Sequence, residues 1–83
     1  MTDKIRSVLA EQGKLPVDLD TLTDDDDLYS AGMTSHASVN VMLALEDAFD
    51  VEFPDAMLRK STFASVTAIR DALATLGVTA LTD

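Results

Sequence analysis

The sequence predicts an all-α protein, a small bundle of three main helices plus one short helix, with a long first loop after the first helix. Three segments carry apolar residues at helical spacing, and glycine, proline or acidic runs separate them. No alternation of apolar and polar residues is long enough for a sheet, since residues 51–53 alternate but lie between two helices. The chain has 83 residues, enough for one small domain, and we assign residues 1–83 to it.

The first helix is predicted over residues 2–12, which hold aliphatic residues at helical spacing and are followed by Gly13 as a terminator. Residues 14–34 form the long first loop, in which a short helical turn is predicted to start at Asp24 or the next residue and to end near Gly32. Six apolar residues are predicted to hold this loop against the core: Leu15, Val17, Leu19, Leu22, Leu28 and Tyr29.

The second main helix is predicted over residues 35–49, because neither glycine nor proline interrupts the segment before Pro54. Ser35 opens it and is itself a good N-cap residue. Four residues form the stripe that we expect to face the core: Val41, Met42, Leu45 and Phe49.

The second half of the chain is predicted to add the short helix over residues 55–60 and the last main helix over residues 62–76. Ser65 is one of two candidate N-caps of the last helix, and Gly77 follows its end. Residues 78–83 are predicted to be a frayed tail.

The charge of the chain limits its partners. Fifteen acidic residues face six basic ones, for a formal net charge of −9. Such a surface repels nucleic acid and anionic membranes and complements basic protein surfaces. Strong like charge also favours a monomer. No apolar run suggests a signal peptide or a membrane span, so the expected location is cytoplasmic.

Catalytic and metal sites are not predicted. A domain of this size buries too little surface to enclose a substrate away from water. The chain has no cysteine, and its only histidine, His36, has no nucleophile paired with it in a recognisable pattern. The acidic residues occur in runs, without the spaced ligands, glycine and closing glutamate of a calcium-binding loop.

The outer side of the second helix carries the candidate partner face, a set of apolar and charged residues: His36, Val39, Asn40, Leu43, Glu46 and Asp47. Apolar anchors flanked by charges are typical of surfaces that bind other proteins. The alternative is that Val39 and Leu43 also belong to the core and are covered by the long loop.

Residues 27–35, with the sequence Asp-Leu-Tyr-Ser-Ala-Gly-Met-Thr-Ser, resemble the motif of the acyl carrier protein family. Residues 39–54 are similar to the second helix of that family and the turn after it, and residues 62–66 look like the start of its last helix. The resemblance extends over about residues 28–76.

This resemblance implies that Ser35 is the residue to which a phosphopantetheinyl transferase attaches 4′-phosphopantetheine from coenzyme A. The arm would hold a carboxylic acid as a thioester, and the chain would be a carrier and not an enzyme. Implied partners are acyl or aminoacyl ligases and acyltransferases with basic surfaces. Thr34 departs from the usual aspartate, and His36 replaces the usual aliphatic residue, which points away from ordinary fatty-acid partners.

Three hypotheses for the function stay open at this point. The first is a carrier of acyl groups. The second is a carrier of amino acids, because residues 34–49 also resemble small stand-alone carriers that synthetase-like ligases load with an amino acid. The third is a helical interaction module that is never modified. The sequence identifies neither the cargo nor the partner enzymes.

Overall fold

The structure is a computed structural model that describes residues 2–78, and within this range it confirms the predicted all-α fold. The chain forms three α-helices, α1 (Thr2–Val8), α2 (Ser35–Phe49) and α3 (Val66–Thr75). Short helical segments connect them: a π-helical turn at Leu9–Gly13 and 3₁₀ turns at Leu19–Thr21, Asp55–Met57 and Lys60–Phe63. The predicted frayed tail, apart from Val78, lies outside the described residues.

The first helix extends one residue further than predicted and changes its geometry on the way. From Leu9 to Gly13 the α-helix continues as a π-helical turn. The prediction that Gly13 ends the helix was wrong by one residue, because Lys14 takes the left-handed conformation, with φ 50°. Gly13 is buried, with the side chains of Leu9 and Leu15 closest to it.

The core lies where the three helices meet. Every buried side chain is apolar among the residues that the structure describes: Ile5, Val8, Leu9, Leu28, Met33, Ala37, Val41, Leu45, Phe53, Phe63, Val66, Ile69 and Leu73. Helix α2 contributes Ala37, Val41 and Leu45, which are four residues apart and share one face. Met42 and Phe49, predicted to be core residues, are only half-buried at its margin. The core stripe of α2 is therefore one turn closer to the start of the helix than predicted.

Two leucines of α2 give a direct test of this orientation. Leu45 is fully buried and Leu43 is 54% exposed, although they are two residues apart. We expect Leu45→Ala to lower the free energy of unfolding by about 2–5 kcal/mol, because it leaves a cavity in the core. Leu43→Ala, the matched control, should change it by less than about 0.5 kcal/mol. Urea denaturation of both variants measures the difference, and similar losses would mean that the helix is rotated from its described position.

The long first loop is ordered by polar contacts as well as by apolar ones. The guanidinium of Arg6 donates hydrogen bonds to the carbonyl oxygens of Leu19 and Leu22, both at 2.9 Å, and to Oδ1 of Asp24 at 2.7 Å. Leu28 is fully buried, and most of the other predicted apolar contacts also pack against the core. The prediction was wrong for Val17, which is 43% exposed.

The aspartates at positions 24–27 do not start the predicted helical turn. Asp24 pairs with Arg6, and Oδ1 of Asp25 accepts a hydrogen bond from the hydroxyl of Thr67 at 2.7 Å. The other two carboxylates accept hydrogen bonds from backbone N–H groups two or three residues away in sequence. Such bonds offer the backbone an alternative to a helix, so this segment folds as successive turns.

The same loop is bonded to the start of α3. The N–H of Leu28 donates to the carbonyl oxygen of Ala64 at 2.7 Å, and the N–H of Thr67 donates to that of Asp24 at 2.9 Å. The first loop is therefore bound both to α1, through Arg6, and to the start of α3.

The second half of the chain has shorter helices than predicted. In place of one helix over residues 55–60 there are two 3₁₀ turns, the first of them preceded by Pro54. Helix α3 starts at Val66 instead of residue 62, and Ser65 is its N-cap, accepting a hydrogen bond from the N–H of Ala68 at 3.0 Å. Gly77, with φ 92°, follows the end of the helix as predicted.

Gly32 lies in the last turn before α2, in a position that a larger residue does not fit. Its φ is 119°, a conformation that residues with a side chain rarely adopt. A Cβ atom here would lie 2.6 Å from Cδ of Pro16, well inside van der Waals contact. The absence of a side chain thus lets the loop pass close to Pro16 just ahead of Ser35.

Candidate functional site

Ser35 is the first residue of α2, and its side chain is exposed. The N-cap is Thr34 and not Ser35 itself: Oγ1 of Thr34 accepts a hydrogen bond from the N–H of Ala37 at 3.0 Å. The neighbouring Ser38 differs, because its hydroxyl donates to the carbonyl oxygen of Ser35 at 2.7 Å. The Ser35 hydroxyl is therefore left for chemistry with an outside molecule, while Thr34 stabilises the start of the helix.

The electrostatic setting at Ser35 suits an anion. The first turn of α2 contains no acidic residue, although the chain carries fifteen. The start of a helix has a partial positive charge and backbone N–H groups without partners in the helix. A phosphate bonded to the Ser35 oxygen would lie beside both.

A groove with a volume of about 340 Å³ runs beside Ser35, and we call it the serine groove. Its lining comes from three parts of the chain: Tyr29 in the first loop; Ser35, Ser38, Val39 and Met42 in α2; and Leu58, Arg59, Lys60 and Phe63 in the segment before α3. Most of this lining is apolar, and the volume falls in the range of small-molecule sites. The groove can hold a flexible chain attached to Ser35.

The charged residues of the serine groove are both basic. Arg59 and Lys60 are exposed, and Nζ of Lys60 lies 4.7 Å from the ring centroid of Tyr29. Among the described residues that line the groove, none is acidic. The groove therefore has the opposite charge to the chain as a whole.

The candidate partner face keeps two exposed aliphatic side chains. Val39 is 51% exposed and Leu43 is 54% exposed, so the alternative that they belong to the core is wrong. His36 and Asp47 are also exposed, and Asn40 is half-buried.

Four of the six residues of this face line two separate depressions of the surface. Val39 lines the serine groove with Ser35. Three others, Leu43, Glu46 and Asp47, line a separate acidic depression near the end of α2. His36 and Asn40 are not among the lining residues of either.

Glu46 has a structural contact that the sequence did not indicate. Its Oε2 accepts a hydrogen bond from the backbone N–H of Phe53 at 2.9 Å, which ties the end of α2 to the following segment. A substitution at Glu46 would therefore affect folding as well as binding. Asp47, which is exposed, is the better position for testing recognition by charge.

The segment Leu58-Arg59-Lys60 was missed as part of the site. The sequence does contain a signal for it, because Arg59 and Lys60 are the only two basic residues that are adjacent in the chain. Leu58 beside them is 47% exposed. A helical prediction over residues 55–60 gave no reason to place this segment next to Ser35.

No α-helix within residues 2–78 has the length and apolar character that crossing a membrane requires. In the same range, no three histidine, aspartate or glutamate side chains lie together in a way that could hold a metal ion.

Comparisons with known proteins match the chain over nearly its whole length. The family described as "Phosphopantetheine attachment site" matches residues 3–78. The aminoacyl carrier protein of Agrobacterium fabrum (strain C58 / ATCC 33970) is 52% identical over 71 residues, which is 86% of each protein.

Similar chains occur in solved structures, and two crystal structures illustrate them. One is of an engineered glycine:[carrier protein] ligase of Bradyrhizobium japonicum complexed with a carrier protein from Agrobacterium tumefaciens and AMP. The match to it has a TM-score of 0.87 at 50% identity, covering 89% of this chain and 99% of the other. The second is of the Bradyrhizobium japonicum ligase with glycylated carrier protein, with a TM-score of 0.70 at 30% identity over 86% of this chain and 95% of the other.

Proposed function

The chain belongs to the family of carrier proteins with a phosphopantetheine attachment site, and from this premise we propose that Ser35 bears the arm and presents an amino acid on it. The family carries a covalently attached 4′-phosphopantetheine group. This membership gives no support to the hypothesis of an unmodified interaction module.

The observation that carries the assignment to Ser35 is its exposed hydroxyl at the start of α2, beside the serine groove. Because Thr34 caps the helix, modification of Ser35 removes no hydrogen bond that the fold needs. The Ser35 oxygen would form a bond to the phosphorus next to pantetheine in coenzyme A. The pyrophosphate bond would break, adenosine 3′,5′-bisphosphate would leave, and a base of the transferase would take the hydroxyl proton.

The surroundings of Ser35 fit the attached group. A phosphodiester on Ser35 would lie at the positive end of the α2 dipole. The apolar lining of the serine groove, from Met42, Leu58 and Phe63, can contact the length of the arm. The arm would supply the thiol that this chain lacks, on which an adenylated amino acid could be held as a thioester with release of AMP and the thiol proton.

The choice of an amino acid as cargo is supported by the relatives. The relative at 52% identity is an aminoacyl carrier protein, and the two similar crystal structures described above are complexes of a glycine:[carrier protein] ligase. We infer that the corresponding partner here is an amino acid ligase related to aminoacyl-tRNA synthetases, and that the chain itself performs no catalysis.

The partner is inferred to approach over α2. Leu43 supplies an exposed apolar anchor, and Asp47 beside it supplies negative charge that attracts a basic surface. His36 is exposed and next to Ser35, which supports a contact between His36 and the enzyme that handles the arm.

Intact mass spectrometry tests this function in two steps. We expect the protein, incubated with coenzyme A and a broad phosphopantetheinyl transferase, to gain the mass of one 4′-phosphopantetheine group. Addition of an amino acid ligase and ATP should then add one amino acid residue, and hydroxylamine should remove it because the bond is a thioester. Loading by an acyl-group ligase with no loading by any amino acid would contradict the proposed cargo.

A further inference from the structure

We propose that Lys60, supported by Arg59, binds the phosphodiester through which the arm is attached to Ser35. This inference rests on the proposed attachment of the arm at Ser35. It assigns a role to the two basic residues of the serine groove, which the attachment chemistry itself does not require.

Basic residues are concentrated at the serine groove. The chain has six basic and fifteen acidic residues, and two of the six line the groove that also contains Ser35. None of the described residues that line the groove is acidic. A phosphodiester elsewhere on a surface with net charge −9 would face repulsion, whereas here it meets two cations.

Lys60 contacts an aromatic ring and not a carboxylate within residues 2–78. Its Nζ lies 4.7 Å from the centre of the Tyr29 ring, a cation–π contact at an exposed site. Within residues 2–78, neither Arg59 nor Lys60 forms an ion pair with a carboxylate. A phosphate oxygen offers Lys60 a charge-assisted hydrogen bond, which the ring does not, so we expect Lys60 to turn from the ring toward the phosphate once the arm is attached.

We expect Lys60 and Arg59 to bias the position of the arm only modestly, and this bias depends on the salt concentration. Pairs of exposed charges bias an equilibrium by about twofold to fivefold, and salt screens them. That bias is enough to hold the attached end of the arm at the serine groove, where Met42 and Phe63 can contact the next part of it. Lys60 is thus a binding residue for the phosphate and touches neither the thiol nor the cargo.

Nuclear magnetic resonance of lysine side chains provides a direct test. The chain has three lysines and one tyrosine, so [13C]lysine labelling and the tyrosine ring give few signals, all of which can be assigned. On conversion of the unmodified protein to the form with the arm, we expect the ε-CH₂ signal of Lys60 and the ring signals of Tyr29 to move together. The signals of Lys4 and Lys14 should stay in place.

Lys4 is the matched control, because its Nζ also lies over an aromatic ring, 4.9 Å from the centre of Phe49, but outside the serine groove. The displacement at Lys60 should fall by more than about half between 0.01 M and 1 M salt, as screening increases. Equal movement of the Lys4 and Lys60 signals would show a general change in the electric field of the protein instead of a contact at Lys60, and would overturn the proposal.

The 31P signal of the phosphate, measured in variants at Lys60, provides a second test. We expect the 31P signal of the attached arm to shift in Lys60→Gln, to stay unchanged in Lys4→Gln, and to return toward its original position in Lys60→Arg. An unchanged 31P signal in Lys60→Gln and in the double variant with Arg59→Gln would refute the inference. A protein that gains no arm at all would refute the attachment at Ser35 instead, so the two failures are distinguishable by mass.

Discussion

The Ser35→Ala variant is expected to gain no mass with coenzyme A and any phosphopantetheinyl transferase, whereas the original protein gains one arm per chain. Ser35 offers an exposed hydroxyl at the start of α2 that the fold does not use. Its removal should change the free energy of unfolding by less than about 0.5 kcal/mol, since Thr34 remains as the cap. Intact mass and thermal unfolding measured on the same sample separate lost modification from lost folding.

Ser38→Ala is the control that makes this result specific. Ser38 lines the same groove, but its hydroxyl donates to the carbonyl oxygen of Ser35. This variant should therefore be modified like the original protein. Modification of Ser35→Ala, or loss of modification only in Ser38→Ala, would show that the arm is attached elsewhere.

Gly32→Ala is expected to lower the free energy of unfolding by about 2–6 kcal/mol, combining backbone strain with overpacking. The φ of 119° is unfavourable for alanine, and the new Cβ would lie 2.6 Å from Cδ of Pro16. For a chain of this size the whole stability is about 4–12 kcal/mol, so the variant could unfold in part at room temperature. Chemical denaturation measures the loss.

Two further variants separate strain from contact. Gly77 also has positive φ, 92°, but a Cβ there would have no atom within 4 Å. Gly77→Ala should therefore show only the strain, about 1–3 kcal/mol. Pro16→Ala removes the ring atoms that the new Cβ would meet, so Gly32→Ala should be less destabilising in that background. Equal losses at both glycines, with no relief from Pro16→Ala, would contradict the close approach.

The sequence predicts those parts of the fold in which local preference and burial agree. Residues 35–49 are a helix by propensity, by periodicity and by the breakers around them, and α2 has these bounds. The last helix was predicted four residues too long at its start, because Thr62 and Ser65 both suit an N-cap and only packing decides between them. Rotation about the helix axis was harder to predict, since Val39 and Leu43 look as apolar as Met42 and Phe49.

The polar contacts that order the first loop could not be predicted from the local sequence pattern. Its aspartates are bound by Arg6 and Thr67, which are 18 and 42 residues away in sequence. Contacts over that separation form only when the chain folds. From the sequence alone, an acidic run is therefore interpreted as a set of solvent-exposed charges. Val17 likewise continues an apolar pattern, although 43% of it is exposed.

The sequence was enough to propose an attachment residue but not to predict its surroundings. Ser35 was proposed because its sequence context resembles a known motif, which is local. Arg59 and Lys60 come from a segment 24 or 25 residues further along the chain, and only the packing of the segment before α3 brings them to Ser35. A groove formed by distant segments leaves no continuous pattern in a single sequence.

If Ser35 bears the arm as proposed, the hydrogen bonds between the first loop and the start of α3 would also limit the size of a cargo that enters the serine groove. Tyr29 of the loop and Phe63 both line the groove, and Phe63 directly precedes Ala64, whose carbonyl oxygen accepts a hydrogen bond from the N–H of Leu28. A bulky side chain that pushed Tyr29 and Phe63 apart would strain this hydrogen bond. An amino acid larger than the gap would then have to remain in water, ready for transfer but open to hydrolysis.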